Sequence, residues 1–226
     1  QGVLDESAFT GKPNEWVKYP LGVMKEFANR GFNPWGFDIL YFGDIPSGAG
    51  LSSSASMEVV TAYMLNDLLG ANLDTVELVK MSQHAENDFV GMNCGIMDQF
   101  AVAMGKKDHA LLLNTKTLDY EYIPITLCGV KLIIANSNKK HKLGESKYNE
   151  RREECETALE EISQAIGIHA LCDLDEKTWN LYQVTVKDDD RKRRVKHAVT
   201  ENARTKQAAA ALKNGELKTF GELMKA

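Results

Sequence analysis

Two stretches of the chain collect residue types that could act on a phosphate. The first is Pro46 to Glu58, PSGAGLSSSASME, where two glycines and three consecutive serines stand between a strand-like run and an amphipathic one. Glycines let a backbone approach an anion closely. Amides at the start of the following helix point at that anion with the helix dipole behind them. Serine hydroxyls add donors and one potential Mg²⁺ ligand. A Walker loop requires GxxxxGK[ST], and this loop holds no lysine; nor does its spacing give GxGxxG. A flexible glycine and serine linker has the same composition. A linker, however, joins separable units, whereas this loop enters a helix directly, with Ser52 to Ser54 where N-cap residues belong.

The second stretch is HAENDFVGMNCGIMDQF, from His84 to Phe100. It puts Glu86 near a helix end and Asp98 just inside the next helical segment, with Gly91 and Gly95 breaking the path between them. Phosphoryl transfer needs a carboxylate to help hold Mg²⁺ against the phosphates, and commonly another group near the acceptor hydroxyl. Single acidic residues are usually solvated. Asp98 stands out because its neighbours Ile96, Met97, Phe100, Ala101 and Val102 are apolar, so a carboxylate there needs a partner or a purpose. His84 reads as a capping or satisfied surface histidine, and Cys94 as a small buried hydrophobe rather than a nucleophile.

The elements that must position these residues follow from periodicity and punctuation. Glu15 to Asn29 reads as a helix with Trp16, Tyr19, Val23 and Phe27 on one side, interrupted early by Pro20 and stopped by Gly31. Gly36 to Phe42 reads as a strand. Ala55 to Leu69 reads as a helix facing inward through Met57, Val60, Met64 and Leu68. Asp74 followed by Glu77 marks a helix start running to about Phe89. The next helix begins near Cys94 and Gly95, with Met97, Phe100 and Met104 inside. Ala110 to Asn114, Tyr120 to Ile125 and Val130 to Asn136 read as strands, the last buried on both faces. Long helices are expected from Tyr148 to Ile166 and from Val195 to Leu212. The shift to helix-dominated sequence puts a domain boundary near Leu127 to Val130.

The chain of 226 residues is 43% apolar, enough for a real core in one large or two small domains. It contains no apolar run of about 18 residues and no secretion-type amino terminus, so neither a membrane nor export is expected. A net charge of -5 disfavours nucleic acid, and the basic run Arg191 to Arg194 directly follows the acidic run Asp188 to Asp190. Cys94, Cys128, Cys155 and Cys172 lie far apart, without zinc-ligand spacing. They suit a reducing, cytoplasmic setting.

The two stretches together resemble the galactokinase family of the GHMP kinases. PSGAGLSSSASME is similar to the family's phosphate-binding second motif, and CGIMDQF to the segment with its catalytic aspartate. Asn136, Ser137, Asn138, His141, Leu143, Ser146, Tyr148, Arg151, Arg152 and Cys155 are similar to the pattern NSN..H.L..S.Y..RR..CE, and WVKYPLG to W..YV.G. The resemblance covers nearly the whole chain, most weakly from about Gly167 to Arg194. It implies an α+β fold: an amino-terminal part related to the ribosomal protein S5 domain 2-like fold (1–128) and a ferredoxin-like carboxyl-terminal part (129–226), both incomplete.

The resemblance further implies ATP-dependent phosphorylation of galactose at its C1 hydroxyl, by direct in-line transfer, in a cytoplasmic monomer using Mg²⁺. Gly48, Ala49, Gly50, Leu51, Ser52, Ser53 and Ser54 would cradle the triphosphate, and Ser54 and Glu86 would hold the metal. Asp98 would take or orient the sugar hydroxyl proton, with Lys140 near the reaction centre and Tyr148, Cys94 and Gly95 against the sugar. The rivals are a kinase of the same superfamily acting on N-acetylgalactosamine or arabinose, and a non-catalytic sugar sensor on the same scaffold. Intact SSSAS and Asp98 favour the enzyme. The family also carries segments resembling GRVNLIGEHTDYNGG and GAGFGG, which these 226 residues do not show. The polypeptide by itself is therefore expected not to phosphorylate sugar efficiently, since positioning and charge stabilisation would both lack parts. A kinase assay on these residues alone, returning normal turnover, would refute this.

Overall fold

A computed structural model describes residues 15–34, 36–46, 50–136 and 144–226. They fall into two compact units. One takes in the described residues up to Gly105 together with those from Ile133 to 136; the other takes in Lys106–Leu132 and the described residues from 144 onward. Among the described residues, helices and one antiparallel hairpin give α+β content, as expected.

In the first unit a 3₁₀ turn, Glu15–Val17, leads into α1 (Lys18–Asn29). Pro20 lies in the first turn of α1, where no backbone N–H is needed, so it does not break the helix. Gly31 ends it at φ +86, and the Gly31 and Phe32 amides return to the Ala28 and Phe27 carbonyls. α2 (Ser53–Leu68), α3 (Thr75–His84), a π-helical turn (Ala85–Val90) and α4 (Met97–Met104) complete the unit. The Asp74 carboxylate accepts the Glu77 amide at 2.9 Å, as the helix-start reading requires. Val23 and Phe27 of α1, Ala62 and Leu65 of α2, and Leu78 and Met81 of α3 close around Ala85.

Three expectations fail here. α2 faces inward through Ala55, Glu58, Val59, Ala62 and Leu65, whereas Val60 and Leu68 are exposed. The helix carries apolar residues on both sides, so periodicity alone could not choose, and its two alanines suit close packing. In α4, Phe100 is buried but Met97 is exposed. Residues 36–42 and 130–136 run without strand pairing among the described residues, leaving Leu40, Phe42, Ile133 and Ile134 exposed. A strand exists only where a neighbour completes its ladder, and β propensity does not supply one.

In the second unit β1 (His109–Leu113) pairs antiparallel with β2 (Tyr120–Pro124), His109 opposite Pro124 and Leu113 opposite Tyr120. α5 (Gly144–Ser163), α6 (Glu176–Tyr182), α7 (Asp189–Lys213) and α8 (Leu217–Leu223) follow. Ala158 and Ile162 of α5, Trp179 of α6, and Val195 and Val199 of α7 form one core. Ile123 of β2 and Ala209 and Leu212 of α7 form another, to which α8 adds Leu217 and Phe220. The hairpin thus groups by compactness with the helices after it, although composition changes only near Leu127 to Val130. The basic run lies in the first turns of α7: Arg191 reaches Glu161 at 3.0 Å and Arg194 reaches Glu154 at 2.6 Å, both on α5. Among the described residues no helix is long and apolar enough to cross a membrane.

Gly22 sets how closely α1 lies on the π-helical turn. A Cβ there would meet Ala85 Cβ at 3.1 Å, the Ala85 carbonyl at 3.2 Å and Phe89 Cβ at 3.2 Å, none of them a mobile side-chain tip. Gly22→Val is expected to cost about 1–3 kcal/mol through overpacking. In α8, a Cβ at Gly221 would meet nothing within 4 Å, so Gly221→Ala should leave stability unchanged or slightly raised. Thermal melts of the two variants check the contrast; equal Tm values would show that the close approach does not matter.

Candidate active site

The glycine and serine loop ends in a strained entry to α2. Gly50 has φ +72, and the N-cap Ser52 is left-handed at φ 55 and ψ 41 with no side-chain capping bond. Holding a non-glycine residue there costs about 1–2 kcal/mol. The first helical bond runs from the Ser56 amide to the Ser52 carbonyl at 2.9 Å, so the amides of Ser53, Ser54 and Ala55 precede the intrahelical ladder. That combination is suited to an anion. Ser52, Ser53 and Ser54 are half-buried, while Gly50 and Leu51 are exposed. Gly48 and Ala49 lie outside the described residues.

One turn beyond Ser54, Glu58 is fully buried, and it is joined there by Glu86 of the π-helical turn and Gln99 of α4. The Gln99 Nε2 group donates to Glu86 Oε2 at 2.6 Å and to Glu58 Oε2 at 3.0 Å. Burial first, and then repulsion from Glu86, pushes the Glu58 carboxyl up to about 9, so it is a neutral acid at pH 7. Glu58 Oε1 and Gln99 Oε1 are buried without hydrogen-bond partners among the described residues. The Cys94 thiol lies 3.4 Å from Glu86 Oε2 and 3.2 Å from Asn87 Oδ1, and Gln83 Nε2 donates to the Cys94 carbonyl at 3.1 Å. Burial, then the Glu86 charge, pushes this thiol up to about 12, which disfavours the thiolate at pH 7.

Asp98, in the first turn of α4 and next to Gln99, is half-buried between buried Ile96 and Phe100. The apolar setting expected of it is thus only partial, since Met97, Ala101 and Val102 are exposed. His84 is an exposed histidine with both ring nitrogens partnered, as expected. Its Nδ1 faces Glu26 Oε1 and its Nε2 faces Asp88 Oδ2, both at 2.9 Å, and Arg30 donates to the same Glu26 at 2.6 Å. This network ties α1 to the helix and turn that carry Glu86.

Hard oxygen donors at Ser54 and Glu86 suit Mg²⁺, which keeps waters and phosphate oxygens and needs only one or two protein ligands. No group of three or more acidic, histidine or cysteine side chains among the described residues could hold a metal by itself. A metal here would therefore share its shell with a bound phosphate. In the second unit, half-exposed Tyr148 lines an open pocket of about 550 Å³ with Arg151, Arg152, Cys155, Arg194 and His197. Lys140 lies outside the described residues.

Sequence reasoning missed Glu58 and Gln99. A glutamate sharing a helix stripe with Ala55, Val59, Ala62 and Leu65 was the available signal, and it was hidden by assigning the opposite face inward.

The Glu58 carboxyl gives a pH dependence with a definite sign. Between its unfolded value near 4.5 and about 9 the folded chain keeps a proton that the unfolded chain releases, so this group's stabilisation falls as pH rises through that window. Glu58→Gln keeps the shape without the titration. Its Tm should fall less than the wild-type Tm between about pH 5 and pH 8; parallel Tm curves would place the proton elsewhere.

Comparison with known proteins matches this arrangement to a family. The family of GHMP kinases N terminal domains matches residues 18–106, from α1 through α4. The galactokinase of Clostridium beijerinckii is 50% identical over 99% of this chain and 58% of its own length. That of Bacillus subtilis is 48% identical over 95% of this chain and 55% of its own. Among solved structures, Lactococcus lactis galactokinase complexed with galactose is similar with a TM-score of 0.87 at 38% identity, covering 97% of this chain and 57% of that one. The chain spans somewhat over half the length of the curated relatives it matches. Residues 18–106 thus match the GHMP kinases N terminal domain family, and nearly the whole chain is similar to part of these galactokinases.

Proposed function

We propose that this chain serves the ATP-dependent phosphorylation of galactose at its C1 hydroxyl, yielding galactose 1-phosphate and ADP. The observation that carries the reading is the uncapped amino terminus of α2 joined through Glu58, Gln99 and Glu86 to the helix of Asp98, in a chain about half identical to galactokinases. In this reading Gly48 to Ser54 enclose the triphosphate, the amides of Ser53, Ser54 and Ala55 facing its charge. Ser54 and Glu86 hold Mg²⁺, which neutralises charge between the phosphates.

Asp98 accepts or orients the proton of the C1 hydroxyl as its oxygen bonds to the γ-phosphorus and the bond to the ADP oxygen breaks. Tyr148, Cys94 and Gly95 contact the sugar, and Lys140 offsets charge at the transferring group. Direct transfer fits the side chains at hand. The Cys94 thiol is held protonated and both His84 nitrogens face carboxylates, so neither is poised to carry a phosphoryl group. We further assign residues 1–128 to the amino-terminal, ATP-binding part of the GHMP fold and 129–226 to its carboxyl-terminal part, in a cytoplasmic monomer.

Sugar-dependent ADP release by the full-length gene product, with galactose, N-acetylgalactosamine and arabinose compared, is the test. Galactose should be preferred, and Asp98→Asn should lower turnover by about 10²–10⁴-fold while ADP binding persists. Binding of ATP and galactose without ADP release would favour a sensor instead.

A further inference from the structure

The Gln99 bridge has a property that core packing alone does not require. Both hydrogens of one amide nitrogen are committed to carboxyl groups on two other elements, at 2.6 Å and 3.0 Å, while the amide oxygen and Glu58 Oε1 are buried and unpartnered among the described residues. Buried polar atoms left without partners are destabilising, and an apolar side chain of similar volume would avoid that cost. What the arrangement does supply is direction. A glutamate side chain has three rotatable bonds, and a carboxylate that must meet a metal gains from being fixed in one orientation before the metal arrives. Glu86 is so fixed: its Oε2 faces the Gln99 amide and the Cys94 thiol. Glu58, fully buried on the inner face of α2, anchors the other side of the amide.

We infer that Gln99 is a positioning residue for the metal-bound nucleotide. Its side-chain amide, anchored by Glu58, orients the Glu86 carboxylate and ties that orientation to the helix that presents Asp98. The inference rests on the proposed role of Glu86 as a metal-holding group. It assigns Gln99 no contact with substrate.

The experiment measures the dissociation constant of ADP by calorimetric titration, with and without Mg²⁺, on the full-length gene product and on Gln99→Met. The galactose KM and Tm are recorded alongside. Loss of an orienting hydrogen bond should cut the Mg²⁺-dependent gain in ADP affinity by about tenfold or more, leaving metal-free ADP binding and the galactose KM within about twofold. An undiminished Mg²⁺ gain, or equal losses with and without Mg²⁺, overturns the inference, because a purely structural role would weaken both alike. If Gln99→Met does not fold, Gln99→Glu carries the test. A carboxyl of the same shape donates at most one hydrogen, so the Mg²⁺ gain must still fall, and an unchanged gain is equally fatal. If the wild-type protein shows the Mg²⁺ gain but galactose releases no ADP, the proposed reaction fails while this inference stands. A wild-type protein with no Mg²⁺ gain removes Glu86 from the metal and the inference with it.

Discussion

Two carboxyl groups buried side by side, Glu58 and Glu86, form the constraint around which the first compact unit is arranged. Like charges in a weakly polar interior repel strongly, and each loses its hydration. The chain meets this in two ways: Glu58 keeps its proton, and one amide group donates to both side chains. Either arrangement requires α2, α4 and the π-helical turn to meet at hydrogen-bonding distance. The apolar packing of Phe27, Leu65, Leu78 and Met81 around Ala85 holds α1, α2 and α3 at the start of the same turn. Gly22 then permits α1 to close on Ala85, immediately before Glu86.

The second unit reflects a different balance. Its helices are strongly charged, and its cores are small clusters around Trp179 and Ile123. Orientation comes from capping and ion pairs at half-exposed positions: Asp188 accepts the Arg191 amide at 3.0 Å, Asp173 takes Lys116 from the hairpin at 2.8 Å, and Arg191 and Arg194 meet α5. Exposed pairs of this kind contribute little individually. They do account for a dense basic run without calling on a polyanionic partner, because its charges are answered locally.

What was legible in the sequence is what short-range rules govern. The Asp74 cap, the stop at Gly31, the long helices and the entry of the serine loop into α2 are each decided within a few residues. The hairpin strands were legible too, since their pairing closes over a short connection. The segments at 36–42 and 130–136 look equally strand-like in isolation, yet pairing is decided by distant chain. In α2 the mismatch has a chemical cause: apolar periodicity turns one face inward, whereas the helix buries a glutamate to meet an amide. Gln99 left no periodic trace, being one polar residue beside a more conspicuous aspartate.

The raised thiol of Cys94 bears on how the candidate site withstands oxidants. Peroxides and electrophiles react with thiolates, and a thiol held near 12 by burial and by Glu86 presents almost none at neutral pH. Cys128 and Cys172, by contrast, are exposed. Oxidants and alkylators therefore meet the exposed peripheral sulfurs before the half-buried Cys94 beside the candidate site.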